Sequence, residues 1–445
     1  MEEAFSKHIT RKKFTRFVVP SVIMELVLGV YYLIDTLFVS IFVGKNALAT
    51  ISIAYPVIGI MWGFSVMLAC GSSALVAIDM GAGRNRLANR RFSTVCIVAL
   101  SLSAILITCT YGFLHPICQF LGASGELSTL CKDYMQILIW AFPAAFIQVI
   151  FEYYIRVDGH PGVTLVLSLI SGAVHMIVDF VLMGLLDFGI QGAAWGTVCG
   201  VWIAAAIGTI YFIKRSTNLK LQKPIADWKF IGHTFANGSS EFVNEASEGI
   251  NTYFFNQIML HLAGSTGVAA LSIAFSIHFV VACIHMGFTV GVEPLISYFF
   301  GAGRYDIVNR VLHYTKEFLL YSAVIISVAF FFAAPIMARP FATPGTELYA
   351  MAVTGMRLLA PSFLVCGLTI FGGGFFTAYG NGGISALISS SRTLVTAIAF
   401  AFALSYFFGT TGLWLSTFAA EAVTAIMTIA LMKRYKDRYH YSFIH

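Results

Sequence analysis

The sequence predicts an all-α integral membrane protein. About twelve transmembrane helices are expected, in two pseudo-symmetric six-helix bundles with both termini cytoplasmic. Three observations carry this: a composition water cannot solvate, apolar runs recurring at bilayer-spanning length, and an internal repeat with a constant offset. Hydrophobic residues make up 58% of the 445 residues and charged residues 11%, with a mean hydropathy of +0.82. A soluble surface of this size needs far more charge, so lipid is the solvent. The 39 glycines are spread through apolar runs, as in membrane helices that approach closely. The net charge of +6 is small and confined to loops, which excludes nucleic acid as a partner.

In chain order, residues 1–16 (MEEAFSKHITRKKFTR) are basic and lack a small-residue cleavage site, so a cytoplasmic tail is expected. Apolar segments follow at 17–42, 48–79, 93–116, 132–155, 162–186 and 191–213, giving a first lobe over 17–213. A polar connector over 214–232 contains KRSTNLKLQKPIADWK. The second lobe, 233–432, has segments at 234–262, 267–299, 313–337, 349–378, 384–407 and 412–432, and 433–445 forms a basic tail. Lys and Arg lie in alternate loops: Arg84, Arg86, Arg90 and Arg91 in one, Lys214, Arg215, Lys220, Lys223 and Lys229 in another, Arg304 and Arg310 in a third. The opposite loops LLDFGIQG, LAGSTG and FFGTTG carry none, which places the basic loops inside. A multi-pass plasma (inner) membrane location follows. Eight cysteines without CxxC or Cys/His spacing read as buried, inert thiols, with Cys118 and Cys131 flanking one outer loop.

GAGRNRLANR at 81–90 and GAGRYDIVNR at 301–310 share six of ten letters and lie 220 residues apart. The same offset superposes GKNALATISIAYPV (44–57) on GSTGVAALSIAFSI (264–277), Glu25 on Glu245, Gly192 on Gly412 and Thr197 on Thr417. Six spans return a chain to its starting side, so the halves are parallel repeats with a ligand path between them. A phosphate-cradling reading of GAGR requires a preceding strand. Both copies follow long apolar helices, so they are helix stops.

Carboxylates near a bilayer centre cost about 2.5–3.5 kcal/mol on insertion scales and mark cavities or partners. In the first span Asp35 follows Tyr31 by one turn, with Glu25 nearly three turns earlier. In the fifth, His175 and Asp179 are four apart and share a helix face, a pair able to carry a proton or to make a structural hydrogen bond. In the seventh, Asn237, Glu241, Asn244, Glu245, Glu248, Asn251 and Thr252 recur at +3 and +4 as one stripe. Such a stripe lines a water-filled path or an internal network that includes Arg392. His278 and His285 share a face without an acidic ligand set, so no metal site is expected. Glu293 beside Pro294 suits a helix bend, and Pro20, Pro56, Pro143 and Pro361 suggest further bends.

The chain resembles the multidrug and toxic compound extrusion (MATE) family, within the wider multidrug/oligosaccharidyl-lipid/polysaccharide exporter superfamily. The resemblance is carried by YYLIDTLFVSIFVGKNALATISIAYPV, GSSALVAIDMGAGR, RVDGHPG, DFGIQGAAWGT and PLISYFFGAGR, and covers nearly the whole chain. It implies a V of two six-helix lobes, alternating access, and export driven by an inward H⁺ or Na⁺ gradient. In the DinF-like branch, aspartates of helices 1 and 5 form the coupling site; those positions match Asp35 and Asp179, with Tyr31 and Thr197 beside them. His175 stands where that branch often has Asn, and Phe180 where it often has Pro; His suits a proton better than a Na⁺ cage. Another branch pairs a helix-7 glutamate, near Glu248 or Glu245, with a helix-10 aspartate that this chain lacks.

The expected function is therefore a cation-coupled antiporter, H⁺ favoured over Na⁺, exporting amphipathic and cationic organic compounds. Its coupling residues are expected to be Asp35, Asp179, His175, Tyr31 and Thr197; Glu241, Asn244, Glu245, Glu248 and Asn251 serve substrate or coupling in the second lobe. No enzymatic activity, no cofactor and no metal are expected. The partners are small amphipathic substrates and membrane lipid, and the chain is expected to be a monomer. A flippase for lipids or lipid-linked precursors is the alternative, a membrane-embedded enzyme using the three glutamates a third reading, and a major-facilitator bundle the rival fold.

Overall fold

The computed structural model describes residues 9–43, 45–121 and 125–442, and among these every regular element is helical. The first half contains α1 (Arg11–Phe42), α2 (Lys45–Gly81), α3 (Asn85–Gly112), short α4 (Leu114–Phe120), α5 (Glu126–Leu138), α6 (Phe142–Val157), α7 (Pro161–Asp179) and α8 (Ile190–Lys214). The second contains α9 (Trp228–Gly301), α10 (Tyr305–Ala338), α11 (Glu347–Leu359), α12 (Phe363–Ala378), α13 (Gly382–Ser390) and α14 (Thr396–Tyr439). α1 starts six residues before the expected span. Thr10 caps it by accepting from Lys13 N at 3.4 Å, so Arg11, Lys12, Lys13 and Arg16 form its charged first turns.

Two glycines fold the longest helices back across the membrane. The 74 residues of α9 would extend about 110 Å at 1.5 Å per residue, far beyond a hydrocarbon core of about 30 Å. Gly264, at φ 63° and ψ −161°, folds it into two antiparallel arms. Gly409, at φ 58° and ψ −137°, does the same in α14. The outer loops expected around LAGSTG and FFGTTG thus shrink to single residues whose positive φ only glycine adopts readily. Gly189, 220 residues before Gly409, has nearly the same angles, φ 57° and ψ −141°. With these reversals, and with α5–α6, α11–α12 and α13–α14 each forming one path, the described residues of each half make six crossings. The fourth crossing of each half carries the same defect, a 3₁₀ turn at Ile139–Ala141 and at Ala360–Ser362.

The repeated GAGR phrases end α2 and the second arm of α9 in the same way. Gly83 (φ 75°) and Gly303 (φ 67°) are left-handed. Arg84 N donates to Asp79 O at 2.9 Å and Arg304 N to Phe299 O at 2.9 Å, closing matched Schellman stops.

The halves meet near this cytoplasmic end through glycine. A Cβ on Gly81 would overlap the Tyr298 carbonyl oxygen, and one on Gly301 would overlap that of Ile78. Positions 78 and 298, like 81 and 301, are related by the repeat, so this contact is a pseudo-two-fold. Gly71 and Gly238 make a second such approach, against Thr234 O and Met67 O. The inner end of the V is thus shut by backbone on backbone.

Residues 215–227 join the halves as an extended strap held by side chains of the first half. Asp158, 0% exposed, accepts from the amides of Thr217 (3.1 Å), Asn218 (2.8 Å) and Leu219 (2.9 Å), and from the Tyr211 hydroxyl. Asn89, Ser93 and Thr94 accept from the amides of Lys220, Gln222 and Ile225 at 2.8–3.0 Å. Arg91 then bridges Asp79 and Asp227, both at 2.6 Å. That guanidinium, helped by the Phe230 amide, holds the Asp227 carboxyl below the usual carboxylate range. Asp158→Ala removes the buried carboxylate that accepts from three strap amides and the Tyr211 hydroxyl and is expected to cost about 1–3 kcal/mol, measured as a lower midpoint in thermal unfolding of the purified protein.

Candidate functional site

The first-half site is built where α1, α7 and α8 converge. One turn of α7 separates His175 from Asp179, and a π-helical turn (Phe180–Leu185) follows directly. His175 Nε2 lies 3.1 Å from Asp179 Oδ2, 3.8 Å from Asp35 Oδ1 and 3.3 Å from the Thr197 hydroxyl. The Tyr31 ring packs edge-on against the imidazole at 5.0 Å. All five expected residues therefore meet. Ligand atoms of Asp35, His175 and Asp179 all lie within 4.8 Å of one another, close enough to surround one cation.

Burial divides the two carboxylates. The Asp179 side chain is 1% exposed, whereas that of Asp35 is 29% exposed. Gly196 on α8 makes room for the former, because a Cβ there would overlap Asp179 Oδ1. Asp179 Oδ2 is met by the His175 ring nitrogen, while Asp35 Oδ1 and the Tyr31 hydroxyl are sealed from solvent. An imidazole between two under-satisfied carboxylates has a use for an added proton or cation, since buried charge without partners is costly.

The second-half stripe divides along its length. Asn237 is 2% exposed and donates to Gly71 O at 3.1 Å and Thr377 O at 3.0 Å, so it clamps helices together and faces no path. Further out, Glu241 accepts from Asn244 at 3.3 Å, Glu248 accepts from the Tyr55 hydroxyl at 3.1 Å, and Glu245 packs its Cβ toward Gly63. Glu241 and Glu245 are half-buried and Glu248 is exposed, above the glycine seal. The Phe64 and Phe242 rings pack at 4.8 Å, tilted by 47°, beside them. Asn251 donates to the Thr393 carbonyl on the opposing helix. The stripe is thus anchored at both ends, with an acidic, aromatic-edged middle.

His278 and His285 are each served by a serine, Ser362 at 2.9 Å and Ser322 at 3.1 Å. Cys118 and Cys131 are free buried thiols. Glu293 is 6% exposed, and its carboxylate accepts from the Cys70 thiol at 3.7 Å across the halves. Tyr55, Glu152, Arg156 and Glu421 escaped the sequence reading. Glu152 and Arg156 had a visible signal, opposite charges four residues apart within an apolar run. Glu152 accepts from Gln148 and Ser168 at 3.0 and 3.1 Å.

Twin six-helix lobes shut at one end, with ionisable groups held inside each lobe, define a secondary transporter rather than an enzyme. The family model described as MatE matches residues 20–181 and 250–403. The chain belongs to the MATE family and is a multi-pass plasma-membrane transporter. It is 26% identical over 444 residues to the multidrug export protein MepA of Staphylococcus aureus, covering 98% of this chain and 96% of that one. MepA of Staphylococcus haemolyticus is 25% identical over 436 residues, covering 96% and 94%. Among solved structures, a MATE in complex with MaL6 superposes with a TM-score of 0.91 at 18% identity, covering 96% of this chain and 97% of that one. The outward-facing conformation of a multidrug resistance MATE family transporter gives 0.90 at 19% identity, covering 96% of each. These likenesses establish the V-shaped fold.

Proposed function

We propose that this chain is a cation-coupled multidrug antiporter, using H⁺ in preference to Na⁺, that exports amphipathic cationic organic compounds by alternating access. The observation that carries the reading is His175 Nε2 lying 3.1 and 3.8 Å from the two carboxylates. An imidazole supplies a nitrogen ligand where a Na⁺ cage needs oxygens, and that nitrogen can carry a proton between the carboxylates. Protonation of Asp35, the more open carboxylate, weakens its attraction to the imidazole and lets α1 move against α7. Substrate leaves outward, and proton loss to the cytoplasm resets the site. Resemblance to MepA supports drug-like cargo. Glu241, Glu245 and Glu248 support positive charge on it, and Tyr55, Phe64 and Phe242 supply apolar and cation–π surface.

The same acidic middle opposes the flippase alternative, because anionic headgroups would be repelled from it. Both sites are assembled from one chain, which supports a monomer working in lipid. The test is efflux of a lipophilic cationic dye from proteoliposomes under separate H⁺ and Na⁺ gradients. An inward H⁺ gradient alone is expected to drive it. Efflux under Na⁺ alone, or under neither, overturns the reading.

A further inference from the structure

The two lobes handle charge differently at equivalent places. In the first, helices 1, 5 and 6 converge on Tyr31 and Asp35, His175 and Asp179, and Thr197. In the second, the corresponding arms are the first arm of α9, α13 and the second arm of α14. Asn251 stands 220 residues after Tyr31, and Arg392 stands 220 after Gly172, one turn before His175. Glu421 lies one turn beyond Thr417, the counterpart of Thr197. The fifth crossing here also contains a π-helical turn, Ser391–Val395, which lies earlier in the repeat than Phe180–Leu185 and holds Arg392 itself; the Thr396 hydroxyl closes it on Ser391 O at 2.6 Å. Asn251, the counterpart of Tyr31, donates to Thr393 O of that turn.

The chemistry in the wedge is inverted. Arg392 Nη1 lies 3.7 Å from Glu421 Oε1, with side chains 18% and 12% exposed. The other Glu421 oxygen accepts from the Thr369 hydroxyl. Both carboxylate oxygens of Glu421 therefore have a partner, whereas Asp179 has its His175 contact on Oδ2 alone. Glu241, His278 and Cys366 are the other titratable groups within electrostatic reach of Arg392.

We infer that Arg392 is a tethered internal cation that permanently occupies the second-lobe counterpart of the coupling site, with Glu421 as its carboxylate. A guanidinium keeps its charge at any physiological pH and cannot leave. The second lobe thus carries its own cation through the whole cycle, and only the first lobe exchanges one with solvent. The inference rests on the proposed coupling at Asp35 and Asp179. It makes Arg392 and Glu421 positioning residues that touch neither substrate nor transported ion.

The test counts protons released into weak buffer when ethidium binds the purified, detergent-solubilised protein, and measures ethidium efflux from proteoliposomes. Arg392→Gln frees Glu421 to take a cation from solvent, so it is expected to release about one proton more than wild type. It should also slow efflux by about tenfold or more. Adding Glu421→Gln should remove the extra proton and recover most of the efflux, because a neutral pair again needs no solvent ion. Arg392→Lys, which keeps the charge should Arg392→Gln misfold, should show the wild-type proton count, and an extra proton there overturns the inference. So does an unchanged count in folded Arg392→Gln, or a double variant as slow as the single. A wild type that releases no proton refutes the coupling reading instead, while the efflux rescue still decides the role of Arg392.

Discussion

Asp35→Asn is expected to uncouple efflux from the proton gradient. Dye export should fall about 5–150-fold, corresponding to a coupling free energy of about 1–3 kcal/mol, while dye binding in detergent persists. The substitution keeps size and hydrogen-bonding reach but removes the ionisable partner 3.8 Å from His175. Asp35 is the informative position because its side chain is 29% exposed and Asp179 is sealed, so folding and coupling can be separated there. Vesicle efflux under a pH step, beside a melting curve of the same sample, measures both. Full gradient-driven efflux by the variant would remove Asp35 from the mechanism.

The second large effect is expected at the glycine seal. Gly81→Ala or Gly301→Ala places a methyl on a backbone carbonyl of the facing half, and neither side has a flexible end to yield. Each should weaken the closed cytoplasmic contact by about 1–3 kcal/mol. The double variant should gain less than the sum, since both methyls act on one interface. The readout is faster labelling of a cysteine introduced at Ile78, half-buried at this seam, by a water-soluble maleimide applied from the cytoplasmic side, with slower export. Gly59→Ala is the control: a Cβ there meets nothing within 4 Å, so labelling and export should match wild type.

Much of this architecture was legible before any coordinates. A strict 220-residue offset, alternation of basic and bare loops, and runs of bilayer length determine crossings and orientation together, because lipid leaves the backbone few options. The turns were less legible. One left-handed glycine does the work expected of a loop at Gly264 and Gly409, since reversal requires only a positive φ. At the site, periodicity put His175 and Asp179 on one face but could not bring Asp35, 140 residues earlier, against them. Only the family resemblance paired those helices. Periodicity also joined Asn237 to the glutamate stripe. A stripe shows which residues share a face, not what the face meets, and the inner end of this one meets α2 and α12. Glu421 passed unnoticed because a single acid in an apolar run has no periodic partner, and Arg392 is on another helix.

The strap over 215–227 has a mechanical corollary. It is bonded to the first half as far as Asp227, and α9 begins at the next residue, so the free joint between the lobes sits at the cytoplasmic rim. From there to Gly264 the first arm measures about 54 Å, at 1.5 Å per residue. A lever of that length moves its far tip by about 0.9 Å for each degree of rotation. A tilt of about ten degrees therefore shifts the extracellular mouth by nearly the width of a drug-sized ring system, while the hinge end scarcely travels.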